Sequence, residues 1–349
     1  MDRAESSPGF RLAELAARTG TTLEGDGATF VCRLGTLEHA GPDAITFLSN
    51  SKYRSKLAGT RAGAVIVGRD DAAATGLPKL VSANPYATYA RVAALLHPIL
   101  TPAPGVHPTA IIDPTAVVAA DAAIGPHAII GARASIGAGT SVGPGSVIGA
   151  DVVIGAGAFL YANVVIYSRC LVGARTTIHA GAVIGADGFG MAEDGGRWLR
   201  IPQVGRVVIG SDCEIGANTT IDRGAIEDTV LEDDVQLDNQ VQVGHNCTIG
   251  RHTAIAGCVG IAGSTRIGRN CQIGGASMIS GHLTIVDGSV ISGGTFIAGS
   301  IDAPGMYTGV FPSLPWREWR KVAARLRHLD ELVDRVRVLE QQAADNERA

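Results

Sequence analysis

An aliphatic residue recurs at every sixth position through more than half of this 349-residue chain. The series begins at Val106 and runs unbroken to Ile184, resumes at Ile209, and after a shift of phase continues from Leu231 to Ile297. Neither the 3.6-residue period of a helix nor the alternation of a surface strand produces this spacing. A six-residue repeat is typical of a parallel β-helix, in which each hexad supplies one short strand and one corner.

The composition agrees with such a repeat. Stacked coils align the repeated Ile, Val and Leu side chains into an apolar column inside a prism, and small residues fill the tight corners. This explains why the chain has 46 Gly residues but only 5% aromatic residues. The pattern of an aliphatic residue followed by Gly resembles the hexapeptide-repeat family. That resemblance implies left-handed coils of three hexads each, so residues three hexads apart lie directly above one another.

The repeat divides the chain into three regions. Residues 1–100 lack the hexad and predict a small N-terminal α/β domain, with a short helix near its start and another after Asn84. Residues 101–312 predict a mainly β domain, the left-handed parallel β-helix, with a loop insertion at 185–208. Residues 313–349 predict a C-terminal helical extension.

Bulk properties exclude several classes of protein. A net charge of −4 and a pI near 6.1 give no overall basis for binding nucleic acid. The opening MDRAESSPGF lacks the charged and apolar parts of a secretory signal, and no stretch is apolar for long enough to span a membrane. Six scattered cysteines without a CxxC pair predict reduced thiols in a cytoplasmic protein.

Two histidines have surroundings that suggest chemistry. His245 lies in a polar cluster that begins at Asp238, and His282 lies further along the repeat. Gly263 is three hexads after His245, so its backbone N–H is expected to lie beside the imidazole and to act as an oxyanion donor for acyl transfer. His245 would then accept the proton from an attacking amine or hydroxyl. We consider Asp238 as the group that fixes the imidazole tautomer.

Metal binding is the alternative use of histidine on such a prism. A catalytic zinc site needs three converging ligands. His245 and His282 are about two coils apart, and no further histidine falls at a stacked position. We therefore expect no metal and no cofactor.

The C-terminal region predicts one amphipathic helix from Trp316 onward. Its apolar residues recur at helical spacing, so three copies of the chain could pack as a short bundle. Its first turns are rich in cations, which indicates either a solvated face or a docking surface for an acidic partner. The cations are Arg317, Arg320, Lys321, Arg325 and Arg327.

Segments from the N-terminal domain and the repeat region together resemble one family, the UDP-3-O-acylglucosamine N-acyltransferases of lipid A biosynthesis. The resemblance covers essentially the whole chain and is far more specific than the hexads. The segments that carry it are residues 45–53 (ITFLSNSKY), 84–86 (NPY), 185–190 (GADGFG), 219–225 (TTIDRGA), 238–246 (DNQVQVGHN), 274–277 (GGAS) and 281–282 (GH).

This resemblance implies the reactants. The donor would be a 3-hydroxyacyl chain on acyl carrier protein, and the acceptor the 2-amino group of UDP-3-O-acylglucosamine. It makes His245 the general base, Gly263 the oxyanion donor and His282 a second functional histidine near the substrate. It also implies a cytoplasmic homotrimer with active sites between subunits. Because the acceptor and product carry lipid, peripheral contact with the inner membrane is compatible with this assignment.

The resemblance also implies residues that bind the acceptor. Phe47 and Tyr53 would sandwich the uracil while Asn50 bonds its edge, which suits stacking on a base. From the residues alone, Phe47 and Tyr53 fit the core of a small domain equally well. Asp238, Asn239 and Gln242 are the remaining candidates for contacts to the nucleotide sugar, and the basic start of the terminal helix suits acyl carrier protein.

The chain departs from the family pattern in places. Phe296 lies in a stretch that often carries Met, so we expect it to bound the acyl groove and to affect chain-length preference. Gly299 replaces a basic residue of some relatives, which bears on carrier-protein contact. Two alternatives stay open: a UDP-N-acetylglucosamine O-acyltransferase, which would lack the N-terminal domain, and a purely structural β-helix.

Overall fold

The computed structural model describes residues 8–99 and 101–348 of the chain. The chain divides into two compact units, Met1–Thr101 and Pro102–Ala349. The expected absence of a secretory signal concerns residues 1–7, which lie outside the described part.

The first unit is a small α/β fold around one sheet. Helix α1 (Leu12–Thr19) ends at Gly20, whose φ of 66° is a left-handed cap. Helix α2 (Pro85–Leu96) begins after Asn84, whose side chain accepts the Ala87 N–H at 3.0 Å. All neighbouring sheet strands are parallel except the first pair. In spatial order the strands of this sheet are Thr22–Glu24, Lys79–Val81, Ala64–Val67, Ala44–Phe47 and Arg33–Leu34. Two 3₁₀ helices span Ser51–Gly59 and Arg69–Ala74. A separate antiparallel pair joins Phe10–Arg11 to Phe30–Val31.

The second unit contains a prism of parallel two- to five-residue strands that form three sheets within the described residues. The first face holds Val117–Val118, Ser135–Ile136, Val153–Ile154, Leu171–Val172, Val207–Ile209, Thr229–Leu231, Thr248–Ile249, Arg266–Ile267 and Thr284–Ile285. The second face holds Gly105–Val106, Ala123–Ile124, Ser141–Val142, Phe159–Leu160, Thr177–Ile178, Glu214–Ile215, Gln236–Leu237, Ala254–Ile255, Gln272–Ile273, Val290–Ile291 and Met306–Tyr307. The third face holds Ile111–Ile112, Ile129–Ile130, Val147–Ile148, Val165–Ile166, Val183–Asp187, Thr220–Arg223, Gln242–Val243, Gly260–Ile261, Met278–Ile279 and Phe296–Ile297.

The hexad aliphatics form the interior of this prism. Ile255, Ile273 and Ile291 stack in register on the second face, and each is only 2% exposed. Their β-branched side chains suit the pleated surface of short strands. The same register stacks Val243, Ile261 and Ile279 on the third face, so every coil is aligned with its neighbours by buried contacts.

Two coils interrupt the repeat at the same corner of the prism. Both interruptions follow third-face strands that pair with each other, Val183–Asp187 and Thr220–Arg223. The first carries the predicted insertion, which contains an antiparallel hairpin of Met191–Asp194 with Arg197–Arg200. The second is a short loop that leads to Thr229–Leu231 and accounts for the phase shift of the hexads.

The C-terminal region forms two helices where the sequence predicted one. Helix α3 (Trp316–Leu326) and helix α4 (Leu329–Arg348) are separated at Arg327 and His328. The apolar stripe of α4 is exposed in the single chain, as Leu332 (53%) and Leu339 (61%) illustrate. Nowhere in the described chain is a helix both long and apolar enough to cross a bilayer.

Candidate active site

The corner that follows the third-face strands collects most of the candidate chemistry; we call it the site corner. Coil by coil, it carries the root of the hairpin with Gly188, then Asp222 and the loop that follows Arg223, then His245, then Gly263, then His282. The strands before these residues pair in this order, so the residues are stacked along one edge of the prism. The structure therefore brings His245, Gly263 and His282 to the same edge.

The His245 imidazole lies between two glycines. A methyl group on Gly263 would lie 2.6 Å from His245 Nε2, and one on Gly188 would lie 2.7 Å from His245 Cβ. Real side chains do not approach so closely, so neither position accepts a larger residue without moving the ring. Gly263 thus brings bare backbone against Nε2, while the hairpin root covers the other side.

Hydrogen bonds to Asn246 determine the tautomer of His245. The Ala225 N–H donates to Asn246 Oδ1 at 2.9 Å, and Asn246 Nδ2 donates to the Glu227 carbonyl at 3.0 Å, which fixes the orientation of the amide. His245 Nδ1 lies 3.0 Å from the same Oδ1. Because Oδ1 only accepts, Nδ1 carries the proton, and Nε2 of the neutral ring is free to accept one.

Asp238 does not fix the His245 tautomer, and that sequence interpretation is wrong. One hexad carries the chain from one face to the next, so Asp238 follows a second-face strand while His245 follows a third-face strand. The Asp238 carboxylate accepts the Asn239 N–H at 2.7 Å. Asn246 and the loop residues that orient it take the role instead.

Asp238 and Asn239 line a groove along the second face. The Asn239 side chain accepts the Ala217 N–H at 2.7 Å, which anchors it at the edge of this groove. His179 also contributes, stacked on Tyr161 with ring centroids 4.7 Å apart. The groove is open, and the polar residues that line it include Glu214, Gln236, His252 and Gln272. Within one chain, the predicted site residues therefore lie at two different corners.

Gln242 lies on the third face, and its amide is already bonded. Its Nε2 donates to Asp222 Oδ2 at 3.0 Å and approaches the Val243 carbonyl at 3.3 Å, and its Oε1 bonds the Thr220 hydroxyl. A contact to substrate would have to replace one of these bonds. Burial raises the pKa of Asp222, while the Gln242 hydrogen bond and the charge of His245 act in the opposite direction.

Arg223 supports the hairpin root from inside the corner. It is buried, and its Nε donates to the Gly185 carbonyl at 2.7 Å while Nη2 donates to the Ser168 carbonyl at 3.0 Å. Its guanidinium also lies 3.9 Å from Asp187. Arg223 therefore fixes the segment that places Gly188 against His245.

Cys247 is a potential nucleophile close to the site corner, but its environment keeps it inert. Burial raises the pKa of its thiol to about 11, so it stays protonated at neutral pH. Its Sγ donates to the Ala262 carbonyl at 3.3 Å inside the prism. Cys247 is therefore not available as a nucleophile at neutral pH.

His282 is held by its backbone. Its N–H donates to the Gly263 carbonyl at 3.0 Å, and its φ of 62° matches that of the stacked Asn246 at 60°. This bond anchors the peptide that follows Gly263, one coil beyond His245.

An apolar strip continues from this corner along the third face. Gly260, Met278 and Phe296 stack in successive strands, and Met278 and Phe296 are 52% and 63% exposed. Such exposed apolar neighbours suit a hydrocarbon chain more than a sugar.

The predicted nucleotide-binding residues line a pocket in the N-terminal unit. Phe47 stacks on Tyr89 with centroids 4.1 Å apart, so one of its faces is covered. Tyr53 is 50% exposed, which disfavours a role in the core. Asn50 caps a 3₁₀ helix by accepting the Lys52 N–H at 3.0 Å.

Sequence reasoning missed Gly188, Asp222, Arg223 and Asn246 as parts of the site. The signal was available in the hexads, since both interruptions precede the His245 coil at the same phase of the repeat. An insertion at one corner of a solenoid marks the face that the molecule uses.

Comparisons of the sequence with known proteins identify one family. A model described as UDP-3-O-(3-hydroxymyristoyl) glucosamine N-acyltransferase, LpxD, matches residues 29–95, and bacterial hexapeptide transferase models match parts of residues 133–298. A protein named UDP-3-O-acylglucosamine N-acyltransferase from Aromatoleum aromaticum is 54% identical, covering 96% of this chain and 99% of its own. One of the same name from Paraburkholderia phytofirmans is 48% identical, covering 96% and 95%.

Among solved structures, a UDP-N-acetylglucosamine acyltransferase is 27% identical with a TM-score of 0.49, covering 59% of this chain and 71% of its own. The parallel sheets and the hexapeptide matches confirm the predicted left-handed parallel β-helix with a small α/β unit and terminal helices.

Asn246→Ala should remove the group that fixes the His245 tautomer. Without Oδ1 to hold Nδ1–H, the ring loses its fixed orientation, and acyl transfer by the proposed base should fall about 100-fold with little change in KM. Steady-state kinetics on the purified variant measure this. Asn163→Ala is the matched control, because Asn163 has the same left-handed backbone (φ 59°) elsewhere on the prism. Equal activities of the two variants would contradict the role of Asn246.

Proposed function

The chain belongs to the UDP-3-O-acylglucosamine N-acyltransferase family and is an acyltransferase, and we propose that it transfers a 3-hydroxyacyl chain from acyl carrier protein to the 2-amino group of UDP-3-O-acylglucosamine in lipid A biosynthesis. The observation that carries this proposal is the site corner, where a correctly oriented imidazole faces the bare backbone of a glycine.

His245 is the general base of this reaction. The amine nitrogen adds to the thioester carbonyl, and Nε2 accepts the proton that the nitrogen releases. As the C–S bond breaks, the imidazolium returns that proton to the departing thiolate. The Nδ1–H bond to Asn246 supports this role because it leaves Nε2 as the acceptor.

Gly263 supplies the oxyanion donor. The tetrahedral intermediate places negative charge on the former carbonyl oxygen, which a positioned N–H stabilises. The closeness of Gly263 to Nε2 supports this assignment, and the His282 bond to the Gly263 carbonyl anchors the peptide that follows it. His282 itself acts near the substrate as a second functional histidine.

The N-terminal pocket binds the uracil of the acceptor. The exposed Tyr53 ring and the edge of the Phe47 stack offer aromatic surfaces for a base, and the Asn50 side chain offers its amide to the base edge. Asp238 and Asn239 contact the nucleotide sugar.

A homotrimer is the active form. Asp238 and Asn239 lie at a different corner from His245 within one chain, so a cleft between neighbouring prisms would unite the two groups. The exposed apolar stripe of α4 supports the same assembly, because three such helices bury their stripes against one another.

The acyl carrier protein docks on α3. The helix presents Arg317, Arg320 and Lys321 on an exposed surface, and the stacked Trp316 and Trp319 rings stiffen its first turn. A cationic helix complements an acidic protein and raises its association rate. The protein works in the cytoplasm, in peripheral contact with the inner membrane that receives its lipid product.

Mass spectrometry of the products tests the reaction. With a mixed pool of 3-hydroxyacyl-carrier donors, the wild type should add one acyl group as an amide to UDP-3-O-acylglucosamine and none to UDP-N-acetylglucosamine. His245→Ala should elute like the wild type yet lose about 10²- to 10⁴-fold in turnover, while His127→Ala on a distant exposed corner should not. An O-acylated product, or near-normal turnover by His245→Ala, would refute the corresponding part of the proposal.

Stacking on Tyr53 predicts a binding defect in Tyr53→Ala. Loss of one base–aromatic stack, about 1–3 kcal/mol, should raise the KM for the acceptor about 5- to 150-fold at nearly constant kcat. Calorimetric titration with UDP gives an independent value. Phe30→Ala removes a comparably exposed ring of the same unit and is the control. Unchanged UDP affinity would remove Tyr53 from the nucleotide site.

Chain-length preference tests the apolar strip. Phe296→Gly should open the end of the groove and shift the preferred donor toward longer acyl chains, measured by competition among carrier-bound donors. Ile129→Gly removes an exposed aliphatic residue from the opposite end of the same face and should leave the preference unchanged. If both variants keep the wild-type preference, Phe296 does not bound the groove.

A further inference from the structure

Asp222 is a half-buried carboxylate at the site corner with no role in the function proposed above. It directly follows Ile221, which pairs with Val243, so it lies one coil before the site histidine. One of its oxygens accepts the Gln242 Nε2–H at 3.0 Å. Gln242 in turn is held by Thr220, so the carboxylate is fixed by a chain of side chains on the third face.

The repeat has a small residue at the equivalent place in the coils on either side. Ala186 pairs with Asp222 in the preceding coil, and Gly244 follows Val243 as Asp222 follows Ile221. A carboxylate at this place carries a burial penalty, since burial raises the pKa of Asp222. The fold itself gives no reason for a charge here.

No arginine or lysine neutralises this carboxylate among the residues that the structure describes. The adjacent Arg223 is turned to the Gly185 and Ser168 carbonyls and to Asp187. The cation that acts on the pKa of Asp222 is the imidazolium of His245.

The direct hydrogen-bond partner of the imidazole carries no charge. Asn246 orients the ring through a neutral amide, so it offers little stabilisation once the ring takes a second proton. A general base that becomes a cation in a partly desolvated site needs a negative charge nearby.

We propose that Asp222 is a positioning residue that acts through His245, as the negative charge that stabilises the imidazolium formed during acyl transfer. This inference rests on the proposed function. The proton balance is unchanged: the amine nitrogen gives its proton to Nε2 as the N–C bond forms, and Nε2 gives it to sulfur as the C–S bond breaks. Asp222 stays ionised throughout.

Other ionisable groups also face the imidazole corner, and their charges are largely paired. Asp187 bonds Arg200 and lies near Arg223, and Cys247 stays a neutral thiol because burial raises its pKa. His282 lies two coils along the same edge. Asp222 is therefore the charge whose removal should alter the protonation of His245 most.

The test compares Asp222→Asn, Asp222→Glu and the control Asp151→Asn. Asp151 forms an exposed ion pair with Arg133 several coils away. In Asp222→Asn, the acid limb of kcat/KM against pH should move down by about one pH unit, and kcat at neutral pH should fall about tenfold with KM for the acceptor unchanged. Asp222→Glu should restore part of the wild-type limb, and Asp151→Asn should match the wild type.

A second measurement needs no turnover. Diethyl pyrocarbonate reacts with the unprotonated imidazole, and peptide mass spectrometry reports its rate at His245 as a function of pH. The midpoint of this dependence should also fall by about one pH unit in Asp222→Asn. If the wild type transfers no acyl group, the proposed function fails, yet this measurement still decides the role of Asp222.

Several results would overturn the inference. If neither the acid limb of kcat/KM nor the pH midpoint of His245 modification moves in Asp222→Asn, then Asp222 does not act on His245. If the KM for the acceptor rises while the acid limb of kcat/KM stays in place, the Asp222 carboxylate contacts the acceptor instead. Should Asp222→Asn fail to fold, Asp222→Ala restores the residue type of the paired Ala186 and decides the same question.

Thermal unfolding separates this role from a structural one. A carboxyl whose pKa is raised by burial binds its proton more tightly in the folded state, so the free energy of unfolding falls as the pH rises through the raised pKa. At neutral pH, Asp222→Asn should therefore melt at or above the wild-type temperature. A clearly lower Tm would show that the carboxylate supports the fold and would count against the proposal.

Discussion

The stacking of buried aliphatic side chains between successive coils is the interaction on which the rest of this structure depends. Each inward Ile, Val or Leu contacts its equivalent in the next coil, and a shift of one residue would turn the column outward to water. The register is therefore strongly fixed, and so is everything attached to the corners. Gly263 lies beside His245 because Ile261 is packed on Val243.

The candidate catalytic residues are concentrated where the repeat is broken. The hairpin and the loop after Arg223 both leave the prism at the site corner, and each brings a backbone group to the His245 region: Gly188 against the ring, and the Ala225 N–H to Asn246. The half-buried Asp222 fits the same pattern, because a local sacrifice of stability is common where a protein keeps a functional charge.

A single chain leaves its functional groups divided. The imidazole and the groove with Asp238 lie at different corners, and the apolar stripe of α4 is exposed in the single chain. Both features have the same physical explanation in a symmetric assembly. There the site corner of one chain would face the groove with Asp238 on its neighbour, and the apolar stripes of the α4 helices would be buried against one another. The proposed catalysis and the proposed assembly are thus linked.

The sequence alone determined the parallel β-helix, because a six-residue period has only one common structural solution, and the family resemblance supplied the candidate residues. It also predicted that Gly263 would lie beside His245, since three hexads return the chain to the same corner. Only the tertiary structure separated Asp238 from His245, because residues close in sequence are carried to different faces by one hexad. Only the tertiary structure identified Asn246 as the partner of Nδ1, since its orientation depends on Ala225 and Glu227 in a loop that obeys no repeat.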